Sequence, residues 1–533
     1  MSISVMSLAG AVPAQTLQFQ PRVDTDFAAE LPRQMVMADF DQDGNLDFAA
    51  TNYGQGGGGR IDVHFGDGNS DFSASYELAL DQAESIGLGD WNGDGWMDIA
   101  VGATGYSQQA VYVLLNNHNR TFGSAGVVHP LAWYPMGIAS ADFDGDGLLD
   151  LAVASTTSSD VLTWFAGTGN GYFGAGHIVP STYMNTAQRL ITADFNNDGK
   201  PDMAMSHTTG CRVFINPLPN FLFQNSFNLP VTYSIGGMAA ADVDGDGFLD
   251  LLTESNAGHF AVWHGVGDGT FALLHDYALL SFASDISVGD LDQDGLLDVM
   301  IPGASSLQLF LGLGGGAFAA PRIVPTGVGP AAGRLGDFNN DGWLDLSAAC
   351  SNSGGQGYLS IHERIPPPPI SSICLPGVGA TSACPCANPP SGASRGCDNS
   401  SATGGAILAA SGTARVTSDS LLFTTSAEKP TATSIVLQGD APNAVGTGFG
   451  QGIRCVAGSL KRLYVKNAVA GSISAPVGAE MHVAARSAAL GDTIVAGSHR
   501  YYGVYYRDPT VLGGCAPTST FNITQQLDVL WQN

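Results

Sequence analysis

The sequence predicts an all-β fold assembled from seven copies of one structural unit. Three observations lead there. An acidic nonapeptide recurs at near-constant spacing. Apolar residues alternate with polar ones in short stretches bounded by glycine and asparagine turns. The composition is rich in turn formers and poor in charge: of 533 residues, 70 are Gly, 44% are hydrophobic and 13% are charged. Glycine supplies the positive φ angles that tight turns need, and few charges suit strands better than solvated helices.

The repeat comes first because a fixed period organises everything else. Its first copy reads Asp39, Phe40, Asp41, Gln42, Asp43, Gly44, Asn45, Leu46, Asp47. Further copies begin at Asp90, Asp142, Asp194, Asp242, Asp290 and Asp337, so the spacings are 51, 52, 52, 48, 48 and 47 residues. Each copy follows a small-residue stretch such as 136–141 and precedes an alternating strand such as 149–154. A third strand, such as 161–165, and a fourth, near 172–179, complete the unit. Period-two alternation marks strands. Four strands in roughly 50 residues, repeated seven times, predict a seven-bladed β-propeller, whose closure removes exposed sheet edges.

The ends of the repeat region support closure. The last repeat stops after a third strand at 357–364, and Leu17 to Val23 stands where a fourth strand stands before the other repeats. One blade built from both ends would latch the ring.

The nonapeptide has the pattern of a hard-cation loop. Calcium takes 6–8 oxygen ligands, and a glycine at the sixth position allows the chain to curl around the ion. Positions 1, 3, 5 and 9 supply side chains, and position 7 supplies its backbone carbonyl. The seven sets are Asp39, Asp41, Asp43, Asn45 and Asp47; Asp90, Asn92, Asp94, Trp96 and Asp98; Asp142, Asp144, Asp146, Leu148 and Asp150; Asp194, Asn196, Asp198, Lys200 and Asp202; Asp242, Asp244, Asp246, Phe248 and Asp250; Asp290, Asp292, Asp294, Leu296 and Asp298; and Asp337, Asn339, Asp341, Trp343 and Asp345. These loops hold 25 of the 48 acidic residues. Clustered carboxylates repel, so a cation is expected in each, up to seven Ca²⁺. Magnesium wants fewer and more rigid ligands. Lys200 and Pro201 make the fourth loop the weakest of the set. The net charge of −28 disfavours nucleic acid and anionic membrane partners.

These residues resemble the FG-GAP or VCBS repeat family, whose blades also form the integrin α-subunit head. The match covers roughly 16–365. Beside the acidic loop it includes a glycine turn ending in phenylalanine, seen at 66–72, 167–173 and 265–271. The fourth repeat departs from it at 217–221. The resemblance implies a propeller with structural calcium in the loops between strands 1 and 2. It also implies a role in adhesion, in lectin-like sugar binding, or beside polysaccharide-degrading enzymes.

Outside the repeats, 1–14 reads as a remnant of a signal peptide with a small-residue site near Ala14, although its basic start is missing. No run reaches the ~18 apolar residues of a membrane span. The expected organisation is a propeller over 15–365, a proline-rich linker over 366–373 and a β-sandwich domain over 374–533. Six of the eight cysteines fall in that last domain: 374, 384, 386, 397, 455 and 515. Their spacing is poor for zinc, so disulfides are expected, with Cys455–Cys515 and two bridges inside 374–397 as the assumed pairing. Cys211 and Cys350 are expected as buried thiols.

No nucleophile elbow, zinc-protease motif, phosphate loop or dinucleotide fingerprint is present. If cations occupy one face, the strand 2–3 and 4–1 loops form the other. There Tyr53, Arg60, Tyr106, Trp133, Tyr134, Tyr183, His207, Tyr233 and His259 are candidates for stacking on sugars or meeting a protein. The sequence thus points to a secreted or cell-surface calcium-binding propeller acting in adhesion or in carbohydrate or protein binding. The alternatives are a polysaccharide lyase or hydrolase on the same scaffold, and a structural surface protein.

Overall fold

The computed structural model describes residues 17–531 except 31, 55–57, 106–108, 124–126, 131–133, 157–160, 180–186, 217–224, 230, 232, 282–284, 328, 352–355, 366–369, 379–380, 393, 417–418, 513–515 and 517–519. The expected leader at 1–14, the proline run at 366–369 and the departure at 217–221 lie outside the described residues. The chain divides into two compact units, Leu17–Ile365 and Pro366–Asn533.

The first unit contains seven four-stranded antiparallel sheets. Blade 1 is Pro32–Ala38, Asp47–Asn52, Arg60–Phe65 and Ala74–Ala79, in that spatial order. Blades 2 to 6 repeat this meander, with inner strands Ala83–Gly89, Tyr134–Ala141, Ala187–Ala193, Ile235–Ala241 and Ser287–Gly289. Blade 7 has Ala332–Gly336 innermost. Each inner strand packs on the inner strand of the next blade, and that of blade 7 packs on that of blade 1. The ring is closed.

Glycines stand in the inner strands where neighbouring blades approach closely. A Cβ on Gly137 would meet the backbone of Leu190 at 2.7 Å, and one on Gly237 would meet Asp285 Cα at 2.9 Å. The second strands are buried on both faces, as in Asp150–Thr156, whose first six residues are all buried.

Aromatic side chains join neighbouring blades. The second residue of an acidic loop meets the turn phenylalanine of the following blade. Phe40 contacts Phe122 with ring centroids 5.7 Å apart, Trp91 contacts Phe173 at 6.2 Å, Phe195 contacts Phe271 at 5.6 Å, and Phe338 contacts Phe72 at 5.9 Å. Such edge-to-face pairs add about 0.5–1.5 kcal/mol each beyond their burial. The carbonyls of Trp91, Phe195 and Phe338 accept N–H bonds from Gly171, Gly269 and Ser70 of those turns, at 3.0–3.1 Å. The turn element of the repeat is therefore a stitch between blades.

Blade 7 takes its outer strand from the N-terminal side. Val23–Glu30 pairs with Gln356–His362, Val23 facing Ile361 and Asp26 facing Tyr358. The segment expected to do this, Leu17 to Val23, forms only the start of the seam: Gln18 pairs with Ile365 and Phe19 with Arg364. Pro21 lacks the N–H that a ladder needs, so pairing breaks there and resumes at Val23.

The second unit has a sheet in the order Ile370–Ile373, Gln526–Leu530, His499–Arg507, Thr433–Gly439, Lys461–Asn467, with Phe521–Ile523 also on His499–Arg507. A smaller sheet contains Ile407–Ser411, Leu422–Ser426 and Ser474–Ala475. One core joins the two, with Leu408 and Phe423 from the smaller sheet against Val436, Tyr502 and Val529. Ile370–Ile373 was expected in the linker. Its backbone is instead a strand, paired with Gln526–Leu530.

One disulfide, Cys384–Cys397, falls inside 374–397 as expected, and the other departs from the assumed pairing. Cys374 joins Cys455, and Cys384 joins Cys397. Cys386 is disulfide-bonded too, and Cys515 lies outside the described residues. Cys374 follows the strand just described, which ends beside the hairpin strand Gly452–Ala457. Packing of those two segments, with Ile453 in the same cluster, sets the 81-residue link that spacing along the chain does not reveal. Cys211 and Cys350 are buried free thiols.

Candidate metal centres and binding face

In every acidic loop the first residue's carboxylate accepts the N–H of the sixth and the fifth residue's that of the seventh. In blade 3, Asp142 Oδ1 accepts the N–H of Asp146 at 3.1 Å, and Asp142 Oδ2 accepts that of Gly147 at 2.9 Å. Asp146 Oδ1 accepts the N–H of Leu148 at 2.8 Å. The sixth residue has φ between +81° and +92° in all seven loops. A Cβ on Gly147 would meet nothing within 4 Å, so conformation and not space demands glycine there. Position 4 is also left-handed, including the non-glycine residues Gln42, Asn197, Gln293 and Asn340, each at φ +56°. Three of those side chains reach the next loop: Gln42 Nε2 donates to the Gly95 carbonyl at 2.7 Å, Gln293 Nε2 to that of Gly342 at 2.6 Å, and Asn340 Nδ2 to Oδ1 of Asn45 at 2.7 Å.

The curled backbone draws carboxylates together. Oxygens of positions 1, 3 and 5 lie within 4.8 Å of one another in blade 1 (Asp39, Asp41, Asp43), blade 3 (Asp142, Asp144, Asp146), blade 5 (Asp242, Asp244, Asp246) and blade 6 (Asp290, Asp292, Asp294). In blades 2, 4 and 7 position 3 is Asn92, Asn196 or Asn339, whose amide oxygen accepts the N–H of position 5. Oδ1 of Asp292 is buried and makes no hydrogen bond, and burial with Asp294 and Asp290 nearby pushes its carboxyl up to about 6.

Position 9 has a different first task. Asp47, Asp98, Asp150, Asp202, Asp250, Asp298 and Asp345 are all buried. One oxygen accepts the N–H of position 2, as Asp47 does from Phe40 at 2.7 Å. The other accepts an N–H at the end of the third strand, from Gly66, Asn116, Gly167, Asn216, Gly265, Gly312 and Arg364 respectively. The ninth aspartate thus ties its loop to the third strand of its blade, each oxygen accepting one N–H.

Arginine and lysine side chains bring positive charge to two loops, and an imidazole approaches a third. Arg120, from the outer turn of blade 2, pairs with Asp41 and, at 3.3 Å, with Asp43 of blade 1. His118 Nε2 lies 2.8 Å from Asp94 in blade 2, and Lys200 lies 3.5 Å from Asp198 in blade 4.

Among the described residues, the candidate ligand side chains of the other face are not all brought together. Tyr106, Trp133 and Tyr183 lie outside the described residues. Arg60 is engaged by Asp62 at 2.9 Å and Glu77 at 3.1 Å, and Tyr53 lies under the Arg33 guanidinium at 4.8 Å. His207 is buried beside Thr209, while Tyr134 is exposed. Tyr233 and His259 do come together, stacked at 5.0 Å with Asp276 3.0 Å from the imidazole.

Sequence reasoning missed the axis of the ring. A recess of about 280 Å³ is lined by Arg33, Glu84, Met136, Gln188, Arg189, Gly236 and Ala331. All but Arg189 stand six residues before an acidic loop, so the register itself was the available signal. Below it, Gln34, Arg189, Asp285 and Arg334 line a cavity of about 140 Å³. Arg334 pairs with Asp285, and burial pushes the nearby Glu254 carboxyl up to about 8 against the pull of Arg189.

The FG-GAP-like repeat model matches residues 39–101, 90–153, 142–205, 194–253 and 290–347, which is over half the chain. The chain belongs to the FG-GAP-like repeat family. Each matched window runs from one acidic loop to just beyond the next. Phosphatidylinositol-glycan-specific phospholipase D from Bos taurus is 30% identical over 165 residues, which is 25% of this chain and 20% of that protein. The Rattus norvegicus enzyme is 28% identical over the same coverage, so the chain spans about a fifth of the length of these curated relatives. Among solved structures, BBS1N in complex with ARL6DN aligns with 65% of this chain and 96% of its own, at TM-score 0.45 and 10% identity. An Agrocybe aegerita lectin, solved for recognition of non-reducing terminal N-acetylglucosamine, aligns with 62% of this chain and 84% of its own, at TM-score 0.38 and 21% identity.

Proposed function

We propose that this FG-GAP propeller is held together by calcium in its acidic loops and acts outside the cell as a binding module for glycans or proteins. One observation carries the calcium reading: three carboxylates converge in each of blades 1, 3, 5 and 6, with a buried, unpartnered oxygen of Asp292 among them. A hard dication satisfies that oxygen and reverses the repulsion between its neighbours. Positions 1, 3 and 5 would hold it, with the ninth aspartate lending a spare lone pair. Disulfides in the second unit support an oxidising, calcium-rich setting.

The stacked Tyr233 and His259, with exposed Tyr134, support recognition on the face opposite the loops. The phospholipase activity in the relatives' name belongs to proteins of which this chain spans a fifth.

Thermal melting in calcium and in EGTA tests the first part. The midpoint is expected to fall on chelation, since a ligand that binds only the folded state stabilises it by RT ln(1 + [L]/Kd). An unchanged midpoint would rule structural calcium out. For the second part, glycan-array binding that weakens on Tyr233→Ala supports the glycan reading, and release of unsaturated oligosaccharides would replace it with a lyase.

A further inference from the structure

We infer that blade 5 is the exception among the acidic loops read above as calcium sites: its loop is a mixed nitrogen–oxygen centre for a zinc-type dication, with His264 as its nitrogen ligand. His264 is the penultimate residue of the third strand of blade 5, His259–Gly265, one residue before the N–H that Asp250 accepts. The same register carries Phe65, Leu115, Ala166, Ile215 and Leu311 in blades 1, 2, 3, 4 and 6, and Glu363 in blade 7. Five blades thus close the side of the loop with an apolar or small wall. Blade 5 closes it with an imidazole.

The imidazole is aimed inward. Nδ1 lies 2.8 Å from Oδ2 of Asp244 and 3.5 Å from Oδ1 of Asp250, and Nε2 lies 3.9 Å from Oδ2 of Asp246. Nδ1 is shut off from solvent and makes no hydrogen bond, despite these close oxygens. The side chain is 29% exposed, but its Nδ1 is closed off and faces two carboxylates that a shared cation can bridge together with it. A tetrahedral shell with bonds of about 2.0 Å sets neighbouring donors about 3.3 Å apart, and the two Nδ1 distances bracket that spacing. An imidazole among carboxylates favours zinc, cobalt or manganese, because calcium gains little from nitrogen. His118 in blade 2 differs: its Nε2 meets the exposed Asp94, and Asn92 replaces a carboxylate at position 3.

The test is a titration of the full chain with Co²⁺ in excess calcium. One equivalent of Co²⁺ should give a visible d–d band that calcium does not remove and that Zn²⁺ bleaches. His264→Leu copies the wall of blades 2 and 6, so the ring should fold, as an unchanged melting midpoint in calcium would verify. In that variant the band should be lost. A band that survives His264→Leu, or no band in the parent protein, overturns the assignment. His264→Gln, which keeps size but not imidazole, should also lose the band and covers the case in which the leucine variant does not fold. A melting midpoint insensitive to EGTA together with a His264-dependent band would leave this centre standing while the calcium reading fell.

Discussion

Arg120 of blade 2 donates its Nε–H to Oδ2 of Asp41 in blade 1 at 2.5 Å, so a side chain from one blade occupies the cation side of its neighbour's loop. The guanidinium also lies 5.3 Å from the Phe65 ring centroid. Arg120→Ala should therefore have opposite effects in the two states of the loop. In EGTA it removes a counter-charge, and the midpoint should drop slightly, since half-exposed pairs contribute about 0.2–1 kcal/mol. In calcium it removes a competitor, and calorimetry should show one site binding several-fold tighter. A loss of affinity at that site would contradict the competition.

Positions 3 and 9 of one loop should separate cleanly. Asp292→Asn relieves like-charge crowding around an unpartnered oxygen, so stability in EGTA should hold or rise while the gain on adding calcium shrinks. Asp298→Asn turns one N–H acceptor into a donor facing the Leu291 or Gly312 N–H. It should cost about 1–3 kcal/mol with or without calcium. Denaturant melts of both variants in both buffers decide the matter; matching losses in EGTA would refute the division of labour.

Gly147→Ala isolates backbone conformation. The added methyl touches nothing, and φ is +88°. The expected loss is about 1 kcal/mol from the left-handed penalty alone. A loss several times larger would mean that the loop's ligand geometry had collapsed.

Glu254 gives a pH signature. Burial lifts its carboxyl from 4.5 to about 8 in the folded chain. Below 4.5 both states are protonated and the residue is neutral to stability. Between 4.5 and 8 the folded state keeps a proton that the unfolded state has released, so its contribution to stability declines as pH rises, levelling above 8. Glu254→Gln removes the titration. In saturating calcium its midpoint should gain on the parent between pH 5 and 8. Parallel pH profiles would contradict this.

The blade count, the strand order and the converging carboxylates were legible because each rests on short-range pattern: period-two alternation, a nine-residue spacing, a glycine at position 6. The buried role of Asp47 and its six equivalents was not, since its partners Gly66 and Asn116 to Arg364 lie a whole strand pair away. The break at Pro21 was readable but not read, and it moved the main latch strand from Leu17–Val23 to Val23–Glu30. The Cys374–Cys455 bridge and the charged axis around Arg189 and Asp285 depend on segments meeting across long loops, which spacing along the chain does not encode.

The latch also fixes how the ring would respond to pulling. Gln18 lies beside Ile365, so the chain enters and leaves blade 7 at the same end of one antiparallel pair. Tension applied to the two flanks would open that seam like a zipper, from Gln18–Ile365 toward Glu30–Gln356, loading its bonds one after another instead of all at once. The closed ring thus has one mechanically soft seam, and its failure releases the outer strand while six blades keep their own hydrogen bonds.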